Sequence, residues 1–115
     1  MYELNYSKEK NRIYIRIEGH LTDAEISHYI NDLIHLIDVT MPNFTVLADV
    51  TKSDISVLLN GSKFQKVRDY GATKGFKNVA TVVSNEAYEI HKNKSFEGIK
   101  NVFSNMQDAE QYLDC

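Results

Sequence analysis

At 115 residues, with 43% hydrophobic and 25% charged side chains, the chain is sized and composed to enclose one globular core, so a single domain is expected. No leader-like segment and no run of about 18 apolar residues occurs, which excludes a helical membrane span and points to an intracellular protein. A formal net charge of −3 lacks the dense basic surface that a phosphate backbone demands, and nucleic acid is not an expected partner.

Tyr2, Leu4 and Tyr6 alternate with Glu3 and Asn5, and Ile13, Ile15 and Ile17 alternate with Tyr14, Arg16 and Glu18. A period of two predicts two strands, each burying one face. The polar stretch 7–11 makes a hairpin the simplest connection, with pairing of the first strand elsewhere in the sheet left open. Thr22 followed by Glu25 is a capping-box pair, so a helix is expected over 23–39. On that helix Ile26, Tyr29, Ile30, Leu33, Ile34, Leu36 and Ile37 share one broad face, opposite Glu25, His28, Asp32 and His35. Met41, Pro42 and Asn43 end it, and the nearly continuous apolar run 44–50, with Asp49 near its end, predicts a central strand covered on both sides.

From 51 to 61 the periodicity lapses. Thr51, Lys52, Ser53, Asp54 and Ser56 precede the apolar trio Val57, Leu58 and Leu59, and the turn pair Asn60 and Gly61 follows. A long loop, or a loop closing in one helical turn, is expected, and such loops are uncommon in compact domains and disproportionately functional. Ser62 can cap a helix with Phe64, Val67, Gly71 and Gly75 on one side and Lys63, Lys66, Arg68 and Asp69 elsewhere. A mid-helix glycine costs about 1 kcal/mol relative to alanine, which predicts that Gly71 marks a close approach to the sheet.

A buried strand over 79–84, a short helix over 85–94 capped by Asn85, and a last strand at Val102 and Phe103 come next. Ser104 or Asn105 starts a terminal helix with Met106, Ala109, Tyr112 and Leu113 inward. The order ββαβαβαβα predicts an α/β domain with a mostly parallel mixed sheet of about five strands and about four helices. In such sheets the loops at the carboxyl ends of the strands usually bind ligands.

Few constellations carry chemistry. His28, Asp32 and His35 could line one helical stripe, but that stripe faces away from the apolar side and offers a metal no cleft, so no metal site is expected. His20 and His91 stand alone in sequence, and no nucleophile motif accompanies them. No catalytic residue is assigned; a histidine, a carboxylate and Ser53 or Ser56 converging in one pocket would change that. The glycines at 19, 61, 71, 75 and 98 never form a phosphate-binding loop. Cys115, the only cysteine, can make no internal disulfide and reads as an exposed tail thiol. Charge is unevenly spread, with Lys52, Lys63, Lys66, Arg68, Lys74 and Lys77 against only Asp54 and Asp69 in one segment, after a helix carrying Asp23, Glu25, Asp32 and Asp38.

The element order, the run Glu18, Gly19, Leu21 and Thr22 before the first helix, and Asp49 at the strand end resemble the SpoIIAA-like family, a branch of the STAS group of anti-sigma factor antagonist domains. The likeness spans essentially the whole chain and implies a single cytoplasmic bacterial domain without a cofactor. STAS antagonists carry an Asp-Ser-Ser-Gly stretch with a phosphorylatable serine at the start of the second helix, where this chain has Val57, Leu58 and Leu59; Ser53 and Ser56 lie just before. The branch is also similar to CRAL-TRIO lipid-carrier domains. Two binding readings follow: a protein-interaction module whose surface comprises Asp49, Thr51, Lys52, Ser53, Ser56, Lys63 and Lys66, with Ser53 or Ser56 as phosphoacceptor, and a carrier of a small apolar ligand with Val57, Leu58, Leu59 and Phe64 as a lid. The alternating strand at Tyr2, Leu4 and Tyr6 leaves a homodimer through a sheet edge open.

Overall fold

The computed structural model describes residues 1–59, 61–93 and 101–114. The expected end of the fourth helix at Lys94, Gly98, Asn60 of the turn pair and Cys115 lie outside the described residues. The elements are β1 (Tyr2–Ser7), β2 (Arg12–Gly19), α1 (Asp23–Val39), β3 (Thr45–Ser53), α2 (Ile55–Leu59), a 3-10 turn (Gly61–Phe64), α3 (Gln65–Lys74), β4 (Asn78–Val82), α4 (Asn85–Asn93), β5 (Val102–Phe103) and α5 (Met106–Asp114). They form one five-stranded mixed sheet in the order β1-β2-β3-β4-β5. Only β1 is antiparallel, joined to β2 as a hairpin with Leu4 opposite Ile15; the other pairs are parallel.

The parity of the strands sorts the two faces. Ile13, Ile15, Ile17, Val50 and Val83 join the buried face of α1, Val57, Leu58 and Val67 in one core, while Leu47, Ala80 and Val82 meet Ala109 and Leu113 of α5 in a smaller core on the reverse face. Helix α1 begins as the sequence predicts: the Thr22 hydroxyl accepts from the Glu25 amide at 3.2 Å and the Glu25 carboxylate accepts from the Thr22 amide at 3.1 Å. It buries Tyr29, Leu33 and Ile37. Asn11, at φ 50°, clips the hairpin to the end of α1, accepting from the Tyr6 hydroxyl and the Met41 amide and donating to the Met41 and Pro42 carbonyls.

Several local expectations are corrected. The described residues hold five α-helices where about four were expected: the fifth is α2, the single helical turn that the alternative reading of the 51–61 segment allowed, while 51–53 extend β3. Strand β3 does not stop at Val50. The register shifts from Arg16 opposite Asp49 to Glu18 opposite Lys52, so β3 carries an extra residue and then resumes pairing to Ser53 opposite Gly19. That bulge breaks the apolar alternation by which a strand is recognised. Asp54 then caps α2, its carboxylate accepting from the Ser56 amide at 2.9 Å.

Ser62 does not start the next helix: a 3-10 turn intervenes and α3 begins after Phe64, which makes no side-chain cap. Ser84, not Asn85, caps α4, accepting from the Ala87 amide at 3.1 Å. Asn105 caps α5 through the Asp108 amide at 2.9 Å. Met106, expected to face inward, is the first residue of α5 and is 40% exposed. Gly71 approaches Ile37 and Phe44 rather than tightly meeting the sheet, and a Cβ there would sit 3.8–3.9 Å from Phe76, Ile37 and Phe44, an ordinary contact. Gly75 lies past α3 in the left-handed region at φ 96°, the usual glycine helix stop.

Candidate functional site

A cavity of about 520 Å³ lies between the sheet and α3. Its floor is Ile15 and Ile17 of β2, Val46, Ala48 and Val50 of β3, and Val79 and Thr81 of β4. The walls are Tyr29, Leu33 and Ile37 of α1, Val57 and Leu58 of α2, Phe64, and Val67 and Gly71 of α3. It exists because α3 carries little apolar surface: on its ten residues only Val67 and Gly71 are buried. An enclosed void of 520 Å³, at about 24 cal/mol per Å³, would cost on the order of 12 kcal/mol, comparable with a whole domain's stability. Opening to solvent lowers that cost, but apolar walls give water few partners.

Polar groups gather on one part of the wall. Arg68 donates to the Gly61 carbonyl and to Gln65 Oε1 at 2.7 Å, and Gln65 in turn donates to Asp69 at 2.8 Å. Tyr29 packs edge-on against Tyr2 and Phe64, with ring centroids 5.4 and 5.5 Å away. Its hydroxyl has no hydrogen-bond partner among the described residues. Burial raises the Tyr29 pKa, opposed by the nearby positive charge of Arg68.

The residues singled out from sequence divide between this cavity and the surface beside it. Val57, Leu58 and Phe64 line the cavity, with Val57 and Leu58 buried, whereas Leu59 is 55% exposed. Asp49 acts on its own strand, where its carboxylate accepts from both the amide and the hydroxyl of Thr51, at 3.1 and 2.7 Å, and so holds the β3 bulge. Ser53 donates to the Val50 carbonyl at 2.9 Å. Lys52 and Lys66 are exposed, and Lys63 pairs with Asp23 at 3.1 Å. The uneven charge is thus answered within the fold by the Lys63–Asp23 pair, while the Tyr70 hydroxyl donates to the Asp38 carboxylate and Lys74 donates to the Asp38 backbone carbonyl.

His20, isolated in sequence, has its Nδ1 3.3 Å from the Ser56 hydroxyl, beside Asp54. A serine, a histidine and a carboxylate therefore converge, but Asp54 holds the Ser56 amide, and no hydrogen bond joins it to His20 among the described residues. A hydrolytic triad needs the acid to orient the base from its far nitrogen. Here the contacts tie α2 to the loop after β2. The stripe of His28, Asp32 and His35 is exposed, and Asp32 instead accepts from the Tyr2 hydroxyl at 2.6 Å, raising the Tyr2 pKa to about 12. Among the described residues no three His, Cys, Asp or Glu side chains converge on a metal position, and no helix is long and apolar enough to cross a membrane.

Sequence reasoning missed Arg12. Its side chain is 3% exposed and reaches Glu110 at 3.0 Å and Asp114 at 2.8 Å on α5, while Nε donates to Thr45 at 2.9 Å and the Tyr14 hydroxyl donates to Glu110 at 2.9 Å. The only sequence signal was a cation leading an apolar strand.

This arrangement of sheet and helices is a SpoIIAA-like, STAS-type fold. The chain is similar to an uncharacterised protein of the DUF3478 family with a SpoIIAA-like fold from Shewanella loihica PV-4, at 20% identity and a TM-score of 0.64, over 98% of this chain and 92% of that one. It is also similar to the anti-sigma factor antagonist SpoIIAA in its unphosphorylated form, at 14% identity and a TM-score of 0.55, over 99% and 96% of the two chains. No family model and no curated protein matches the sequence.

Proposed function

We propose that the chain is a single non-enzymatic binding domain whose site is the cleft under α3, and that it carries or senses a small apolar molecule there. The observation that carries this reading is the cavity of about 520 Å³, within the range of roughly 300–1,000 Å³ common to small-molecule sites, walled by aliphatic and aromatic side chains. Val57, Leu58 and Phe64 act as the lid: Val57 and Leu58 of the five-residue α2 pack against the main core and line the cavity together with Phe64, so opening the site would part these contacts. Titration with the neutral apolar dye Nile red tests the site. Saturable binding at one dye per chain, with native mass spectrometry of protein purified from cells showing a retained small molecule, is the expected outcome. Protein that is empty in the mass spectrum and does not saturate with dye would refute it.

A second reading, contact with a protein partner, is favoured by the exposure of Leu59 and Ile55 beside Lys52, Lys63 and Lys66. In it the domain works in the bacterial cytoplasm, as the SpoIIAA-like fold suggests, and Ser53 or Ser56 is the phosphoacceptor: the Ser53 hydroxyl donates to the Val50 carbonyl and the Ser56 hydroxyl lies 3.3 Å from His20 Nδ1. A phosphoryl group on Ser56 would be favoured by His20 and opposed by Asp54. A homodimer through the exposed edge of β1 is compatible with either reading. Charge reversal at Lys63 and Lys66 should weaken recovery of a native partner in a salt-dependent way; unchanged recovery would count against this surface.

A further inference from the structure

Resting on the cavity reading above, we propose that the ligand is a single-chain anionic amphiphile, whose carboxylate is held by Arg68 and the Tyr29 hydroxyl while its aliphatic tail lies on the apolar floor. Three observations converge on the head position. Tyr29 is only 6% exposed and lines the cavity, yet its hydroxyl has no partner among the described residues. No buried side-chain oxygen or nitrogen of the described residues lacks a partner, so this hydroxyl is not walled in: it opens on the cavity, where it can donate to a bound carboxylate.

Arg68 is the one cation among the described residues that line the cavity, and no carboxylate of the described residues lies within ion-pair distance of it. Of the five N–H donors of a guanidinium, two are engaged, by Gly61 and Gln65, which leaves three. Those two bonds also fix the guanidinium on the wall, so binding would not have to order it. Asp69, the carboxylate on the same wall, is exposed and hydrogen-bonded to Gln65. Solvent screens its repulsion of an anion more than it screens the half-buried Arg68.

Displacement of Nile red separates this proposal from the cavity reading, because the dye has no acid group. Dodecanoate and dodecan-1-ol are compared as competitors on the wild-type protein, on Arg68→Gln, on Arg68→Lys and on Tyr29→Phe. Wild type is expected to favour dodecanoate by at least about tenfold, the scale of one charge-assisted hydrogen bond. Arg68→Gln should abolish the preference, Arg68→Lys should restore part of it, and Tyr29→Phe should reduce it several-fold.

Dye binding with equal affinity for acid and alcohol would overturn the head-group assignment while leaving the apolar site standing. A preference that survives both Arg68→Gln and Tyr29→Phe would overturn it too, by placing the head elsewhere. Absence of dye binding would remove the cavity reading and this one with it. Should Arg68→Gln fail to fold, the wild-type comparison and Tyr29→Phe still decide.

Discussion

Filling the cavity from its floor tests whether α3 really stands away from the sheet. Ala48 lies mid-way along β3, between Ile15 of β2 and Thr81 of β4, with its side chain on the cavity floor. Ala48→Ile keeps a strand-favouring residue there and adds three carbons to the void. At about 0.8 kcal/mol per buried methylene, full burial would contribute about 2.4 kcal/mol. Because the cleft is open on one side, a stabilisation of about 1–2 kcal/mol is expected, or a rise of roughly 4–8 °C in the unfolding midpoint of a domain this size. Were the space already filled by α3 settling onto the sheet, the same substitution would overpack the core and cost about 1–3 kcal/mol. The sign therefore decides. Urea denaturation of ligand-free protein, with Nile red titration of the same sample, is the assay: higher stability with weaker dye binding is expected. A destabilised variant that binds dye as well as wild type would refute the cavity.

Arg12→Met removes a buried cation and leaves Glu110 to Lys10 and Tyr14 and Asp114 to Lys10 and solvent; with charge-assisted hydrogen bonds lost but both carboxylates still partly solvated, a loss of about 1–3 kcal/mol is expected by urea denaturation. The same variant should flatten the acid limb of stability. Burial works to raise the Glu110 pKa, but hydrogen bonds from Tyr14 and Lys10 and the charge of Arg12 outweigh it, and Asp114 is lowered chiefly by its bond from Arg12. With both folded values depressed, their contribution is complete above the ordinary values of 4.5 and 3.8 and is lost as pH falls through the lower folded ones. An acid limb unchanged in Arg12→Met would contradict the clamp. Gly71→Ala should stabilise by about 0.5–1 kcal/mol through helix propensity, since the added methyl meets only ordinary contacts; a loss in thermal midpoint would mean that α1 and α3 lie closer together than those contacts imply. Thr22→Ala should cost about 1 kcal/mol by denaturation, and an unchanged midpoint would show the capping box to be idle.

Local signals carried the fold far. The alternation at Ile13, Ile15 and Ile17 and the 3.6-residue spacing from Ile26 to Ile37 are readable because each side chain's burial is set by the geometry of its own element. The candidate site was only partly legible. Val57, Leu58 and Phe64 could be suspected of meeting an apolar ligand, but the β3 bulge hid the true strand end and made the segment after Asp49 look like a loop. Tyr29 read as one more core residue and Arg68 as one more surface cation, since nothing within either helix shows that they share a wall.

What the linear order of residues determined, then, is which elements form, which face of each turns inward, and that a parallel sheet must carry helices. Tertiary structure alone decided how far α3 stands off that sheet, and that Arg12 meets Glu110 and Asp114 from 98 and 102 positions away. Periodicity is a property of neighbours along the chain. A void or a clamp is a property of separations between elements, fixed by the summed packing of all of them.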